Sequence, residues 1–435
     1  MQIVRQFNFV AFAPALCFVM AAALQIQITL FKSDAYLGLR VNLADIVAVL
    51  VAPIILLSLL LKNSQRPQWS VRRLYIWLAA LTGILLLSLF HNYLNYGEVS
   101  RWALTNKVGG WLILMALMGA GAWIAANADR SFLQNFLTAF FFFFLIVSSV
   151  DIVVSVLRFY LNPHEFKYLK PLDGLMANRN AFSMLFLCGF SIAMTARLRK
   201  MKFIPSYFCY FLLFTAPLLL AMNGSRAGYI ATCILFAVMA ISQRDNLKEV
   251  LKIALLLLLG HIFSYGVLHS HQNKLKYLSG NTFELLEKSQ ISTEEAKENI
   301  RYRGDKIRIT ILEDARDMVK KHPILGNGLG STMIYQREKH GKTIDLIDCT
   351  PLWLWVETGL IGLAAFSAFY FCAVRALLKR YKEEQDEIFK HFYLLCLYTI
   401  LGFSIMCLLH EIMYTRFLWF FLGMALALPK RHQSV

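Results

Sequence analysis

Three arginines stand where apolar segments give way to polar sequence. Arg226 lies in the turn Asn223-Gly-Ser-Arg226, Arg308 in the hydrophilic stretch 269–350, and Arg416 at the start of the last apolar segment. A guanidinium stays charged and offers paired planar donors, which suits it to phosphate or diphosphate oxygens. Arg226 is the sharpest signal, because a charge that opens an apolar run is costly unless it faces a polar cavity. Snorkelling toward lipid headgroups is the plain alternative for all three. Asp348 is a lone carboxylate three residues before Pro351, where the chain turns apolar again. Two roles stay open for it: accepting a proton from an attacking hydroxyl as a general base, or capping the helix that follows. His410 and Glu411 close another apolar run near Arg416. Imidazole titrates near neutral pH, and a solvated helix-end residue is the alternative reading. Asn178, Arg179 and Asn180 precede a further apolar run, where amides can cap a helix or help bind an anion at its N-terminus. Glu357, about two turns deeper than Asp348, reads as a buried partner of an arginine or an amide. No DxD pair, HExxH or Cys/His ligand cluster occurs in these polar segments, so metal-free chemistry is expected.

The elements that must hold these residues are membrane spans. An apolar share of 58% with 34 phenylalanines exceeds the roughly 45–50% of soluble domains. Runs long enough to cross a bilayer, about 17–25 residues each, fall at 8–31, 42–61, 74–92, 108–127, 132–160, 181–196, 203–222, 227–243, 249–268, 351–376, 391–410 and 413–429. The expected fold is therefore all-α, a polytopic membrane protein of about twelve transmembrane helices with one long helical loop. Lysines and arginines concentrate in alternate short loops, among them Arg72, Arg73, Arg197, Arg199, Lys200, Lys379 and Arg380. By the positive-inside rule both termini face the cytoplasm and the 269–350 loop lies outside. The chain then divides into a membrane unit at 1–268, the outer loop at 269–350, and a second membrane unit at 351–435 with a cytoplasmic C-terminus. The net charge of +17 is accounted for mostly by this topology and calls for no nucleic acid. The first apolar segment is expected to be an uncleaved anchor rather than a signal peptide. Cys349 is the cysteine placed clearly in an outer loop, so no disulfide framework is expected. The absence of a visible internal repeat argues against a transporter built from repeated halves.

Within the loop, Ser292 and Glu295 match a capping box, and Gly304 is expected to interrupt the helix it opens. A second helix is expected from Asp305 to Lys321, with Ile307, Ile311, Ala315 and Met318 at helical spacing. It would end at His322-Pro323 and lie along the membrane or cap the bundle. Gly326, Gly328 and Gly330 then predict a flexible turn.

Read in order, NGSRAG at 223–228, HPILGNGLG at 322–330 and DCTPLWLWVETGLIG at 348–362 resemble the O-antigen ligase and polymerase superfamily over roughly 170–425. The resemblance implies a GT-C-type glycosyltransferase of the bacterial inner membrane, multi-pass, with its active site at the periplasmic face. It implies an undecaprenyl-diphosphate-linked glycan as donor. The acceptor would be lipid A core in a ligase, or a second lipid-linked glycan in a polymerase, with membrane lipids around it. No metal, nucleotide or other cofactor is implied. Carried onto this chain, Arg226 and Arg308 would bind the donor diphosphate, with Arg416 a third candidate. The family's catalytic segment carries a histidine where this chain has Asp348, while the spacing to Gly359 is kept. Either Asp348 is the base, or His410 supplies the imidazole and Asp348 orients it, or the activity is altered or lost. A lipid-linked oligosaccharide transporter is the remote alternative, and it would place charges deep within several spans.

Overall fold

A computed structural model of the chain describes residues 9–30, 39–60, 67, 69–71, 74–127, 130–161, 172–176, 178–269 and 300–428. Each of the twelve apolar runs forms a helix: among the described residues, nine helices are long and apolar enough to cross a membrane, and three are shorter. In chain order the helices are α1 (Phe9–Ala23), α2 (Leu43–Leu60), α3 (Leu74–Tyr96), α4 (Gly110–Asn127), α5 (Arg130–Leu161), α6 (Arg179–Leu198), α7 (Ser206–Asn223), α8 (Arg226–Ser242) and α9 (Leu247–His269). The polar segment contributes α10 (Ile300–Lys321) and α11 (Ser331–His340), and the chain closes with α12 (Thr350–Glu383), α13 (Glu387–Cys407) and α14 (Arg416–Ala427). A π-helical turn, Ala103–Gly109, runs directly into α4. Side chains such as Leu50, Leu87, Ile241 and Phe371 are exposed, as expected of helices bathed in lipid. Inside, Phe136 meets Phe420 and Phe421 at centroid separations of 5.6 Å, and Trp111 meets Trp419 at 5.1 Å. Aromatic packing of this kind adds to area burial and joins α4, α5 and α14.

Three expectations are corrected. The first apolar run is helical only to Ala23 and then enters a hairpin, β1 (Gln27–Leu30) antiparallel to β2 (Leu39–Asn42), with Ile28 opposite Val41. The buried Gln25 amide ends the helix by donating to Ala21 O and Phe140 O at 2.9 and 3.0 Å. Gly304 does not interrupt α10, which runs continuously from Ile300 to Lys321. A single helical glycine costs only about 1 kcal/mol, less than the docking of Ile311, Ala315 and Met318 in the core can supply. The glycine turn is a fixed structure, described below. The Ser292 and Glu295 capping box lies outside the described residues.

The bundle has two distinct ends. One gathers the C-terminal end of α3, the N-terminal ends of α6 and α8, the stretch from α10 to α12, and the α13–α14 turn. Hydrogen bonds tie these pieces to one another, including Leu329 N to Ser88 O, Asn223 to Arg179 O and Thr350 Oγ1 to His410 O. The other end joins α6 to α9 through Arg197 and Glu249, and Ser70 to Leu426 near the end of α14.

Candidate active site

The site is built on a break in α12. Gly359 has φ 70° and ψ −174° inside an otherwise helical segment, a conformation available to glycine at little steric cost. The segment 322–330 docks into that break. Leu360 N donates to Pro323 O at 3.0 Å, Asn327 N to Val356 O at 2.9 Å, and Gly328 N to Glu357 O at 3.1 Å. The Asn327 amide reaches Met318 O and Val356 O at 2.8 and 3.1 Å, fastening the C-terminal end of α10 to α12. A Cβ on Gly359 would lie 2.1 Å from Ile324 O, so the two backbones can approach this closely only without a side chain. Buried Glu357 completes the joint, accepting from Gly330 N and Thr332 Oγ1, each at 2.9 Å. Its partners are thus a backbone amide and a hydroxyl.

A second joint sets Arg226 beside Arg179. Asn178 caps α6, accepting from Asn180 N and Ala181 N at 2.7 and 3.3 Å, and Ser225 caps α8 by accepting from Gly228 N at 3.2 Å. Asn223 lies between the two caps. Its amide nitrogen donates to Leu172 O and Arg179 O at 2.6 and 2.9 Å, and its oxygen accepts from Ser183 Oγ at 2.6 Å. Ser225 Oγ donates to Asn180 Oδ1 at 3.2 Å. A Cβ on Gly228 would lie 2.7 Å from Ser183 Oγ, which is why α8 can start so close to α6. The motif NGSRAG therefore uses Asn223, Gly224, Ser225 and Gly228 to form a tight joint, and leaves Arg226 exposed on it. Arg179 is within electrostatic reach of Arg226, Arg308 and Asp348.

Arg308 comes from α10, whose inner face is anchored by Ile311, Asp314, Ala315 and Met318. Its Nε lies 3.3 Å from Asp348 Oδ2, both side chains being partly exposed. Asp348 is not the cap of α12. That position belongs to Cys349, and no side chain bonds the first turn. Burial pushes the Asp348 carboxyl above its ordinary range; Arg308 opposes the shift, while Asp345 and Glu411 add to it. His410 sits on the α13–α14 turn and is only 5% exposed. Burial, then the charges of Arg308 and Arg179, push the imidazole down to about 4, so it is neutral near pH 7. The turn is pinned by Thr350 Oγ1, which donates to His410 O and accepts from Ile412 N, each at 2.9 Å. Asp348 is ion-paired with Arg308, so the expected arrangement in which it orients His410 is not the one observed.

Of the candidate residues, Arg179, Arg226, Arg308, Asp348 and His410 are drawn together, with Asn178, Asn180 and Glu357 supporting the backbone around them. Arg416 departs from expectation. It is buried, and its guanidinium donates to both Asp45 oxygens, at 2.9 to 3.2 Å, as well as to Arg40 O and Tyr414 O. Asp45 opens α2, 371 residues away in sequence, and nothing in the local motif marks it as the partner. Lys107 was also missed, since the expected span began one residue after it, yet it is 2% exposed and ion-paired with Glu411. A lysine directly preceding the apolar run 108–127 was the available signal. Among the described residues, no group of three or more His, Cys, Asp or Glu side chains could hold a metal ion.

Three guanidiniums beside a carboxylate and a neutral imidazole can hold a doubly charged anion and take a proton next to it. Residues 209–367 match the O-antigen ligase family, a stretch that contains Arg226, Arg308, Asp348 and Glu357. No curated protein matches the chain. That match supports a resemblance to the O-antigen ligase-like superfamily.

Proposed function

From its match to the O-antigen ligase family, we propose that this multi-pass protein transfers a glycan from undecaprenyl diphosphate to a sugar hydroxyl of lipid A core. The reaction takes place at the periplasmic face of a bacterial inner membrane, with both termini in the cytoplasm. The observation that supports it best is the convergence of Arg179, Arg226 and Arg308, from three separate elements, around Asp348 and His410. Like charges repel one another, and a diphosphate offsets that repulsion while gaining charge-assisted hydrogen bonds.

In the transfer, the acceptor oxygen bonds to the anomeric carbon as the bond from that carbon to the diphosphate oxygen breaks. The bonding pair leaves with the diphosphate, and the arginines stabilise the charge that develops there. Interactions of this type often contribute the largest share of catalysis. A diphosphate departs without protonation, so one base on the acceptor side suffices. Asp348 is assigned that proton. Burial raises its carboxyl, which is partly exposed and in contact with Arg308, whereas the His410 imidazole is buried and pushed down to about 4. Contact with Arg308 ties the proton acceptor to the donor-binding element. His410 remains neutral and can accept a hydrogen bond from the acceptor sugar. Arg416 is left out of the donor site, and the scheme uses neither metal nor nucleotide.

The test is reconstitution of the purified protein in vesicles with lipid-linked glycan and a choice of acceptors. Glycosylated lipid A core is the expected product. Elongated lipid-linked glycan would identify a repeat-unit polymerase instead, and movement of the donor across the bilayer without a covalent product would identify a transporter. Full transfer by Arg226→Ala and Arg308→Ala at limiting donor would overturn the diphosphate assignment.

A further inference from the structure

The transfer chemistry makes no use of the most deeply buried cation at this end of the bundle. Lys107 is 2% exposed on the π-helical turn Ala103–Gly109. Its ammonium pairs with Glu411, the residue after His410. It also lies over the rings of Trp353 and Tyr414, 4.1 and 4.8 Å from their centroids. Trp353 belongs to the first turn of α12, and Tyr414 to the turn that carries His410. A single cation therefore joins the two backbone segments that present Asp348 and His410. The π-helical turn is part of the device, because an extra residue in a helix re-aims the side chains around it and such turns concentrate at functional sites.

We propose that Lys107 is a positioning residue for glycan transfer: its pairing with Glu411 fixes the His410 turn against α12 and cancels a negative charge that otherwise faces the Asp348 carboxylate. The inference rests on the reading of Asp348 as the base. Asp348 faces Arg308 from α10, Arg179 from α6, Glu411 from the α13–α14 turn, and Asp345 from its own connector. Glu411 in turn faces Lys107, Asp348, Glu357 and Tyr414. With Lys107 in place, the Lys107–Glu411 pair presents little net charge to Asp348. Without Lys107, an uncompensated carboxylate disfavours ionisation of Asp348. The base is then available only at higher pH.

The experiment is the pH dependence of kcat/KM for transfer by the full-length protein in vesicles, with melting temperature measured in parallel. Lys107→Met is expected to move the acid limb up by about half a unit to one unit, and Glu411→Gln to move it down. The double variant Lys107→Met with Glu411→Gln returns it near the wild-type position, and Lys107→Arg holds it there. A purely structural pair would lower the melting temperature and leave the limb in place in every variant, which would overturn the proposal. If Lys107→Met fails to fold, Glu411→Gln and the double variant decide by the same shifts. If Asp348→Asn keeps the acid limb, it is the reading of Asp348 as base that fails. If Asp348→Asn abolishes the limb but the Lys107 and Glu411 variants leave it unmoved, only the role of Lys107 fails.

Discussion

The two ends of the bundle differ in how closely they gather arginines. At the end away from the loop, guanidiniums are matched locally: Arg197 Nε lies 3.0 Å from Glu249, and Arg199 donates to the Tyr381 hydroxyl at 3.2 Å. At the loop end, Arg179 is repelled by both Arg226 and Arg308, and the caps of α6 and α8 force two of the three together. A folded chain that holds like charges in one place loses stability there, and Asp348 supplies one carboxylate against three guanidiniums. The contrast separates arginines that close a helix end from arginines gathered in one place, where Arg308 also pairs with Asp348. It can be broken by substitutions at either end.

The largest expected effect is at the proton acceptor. Asp348→Asn keeps the shape and removes the base, and a general base commonly contributes about 10²–10⁴-fold. Because burial raises this carboxyl, activity should fall as pH drops through a value above the ordinary carboxylate range. The acid limb should be absent in the variant, as read from kcat/KM across pH. Next come the donor arginines. Arg226→Ala and Arg308→Ala should each lower kcat/KM by about 10²–10³-fold, the usual cost of removing one donor to a developing oxyanion. Arg197→Ala at the opposite end should stay within about threefold, since its partly exposed ion pair is worth little. Equal losses at both ends, measured at limiting donor, would erase the distinction.

Arg416 sharpens the comparison from the side of stability. Like Arg197 it is matched by a carboxylate, but here the pair with Asp45 is buried. Breaking a buried pair on one side typically costs about 3–5 kcal/mol. Arg416→Met should therefore lower the melting temperature strongly, and adding Asp45→Asn should recover part of the loss. Donor affinity in the folded fraction should remain close to wild type. A selective loss of donor binding with no change in melting would return Arg416 to the anion site.

These cases also mark what the sequence makes legible. The twelve apolar runs are visible because a bilayer requires long apolar segments, a constraint that nine of the described helices meet by themselves. Arg226 and Arg308 stand out for the same local reason, as charges at the edges of such runs. Relations between distant segments leave no comparable mark. The Arg416 pairing depends on an aspartate at the start of α2, and the docking of 322–330 on Gly359 depends on backbone groups that carry no residue signature. Glycines at 326, 328 and 330 suggest flexibility, yet their positive φ values serve a rigid joint. Lys107 was lost because a span boundary is naturally drawn at a charge, which assumes that the charge lies outside the core. Its partner Glu411 and the ring of Trp353 reverse that assumption only once the chain is folded.

The smallest expected effect concerns His410, and it tests which group at the loop end takes the proton. An imidazole held at about 4 by burial and by Arg308 and Arg179 is neutral near pH 7, and the proton is assigned to Asp348. Replacing it cannot move a limb that it does not generate. His410→Gln keeps an acceptor on the turn and should reduce kcat/KM by no more than about tenfold, the scale of one neutral hydrogen bond. The acid limb should stay where Asp348 puts it. His410→Ala should lose somewhat more through packing, again without a shift in the limb. Were His410→Gln to cost more than Asp348→Asn, the imidazole would be the base despite its low pKa. Asp348 would then act through its contact with Arg308, as part of the donor site rather than the acceptor site.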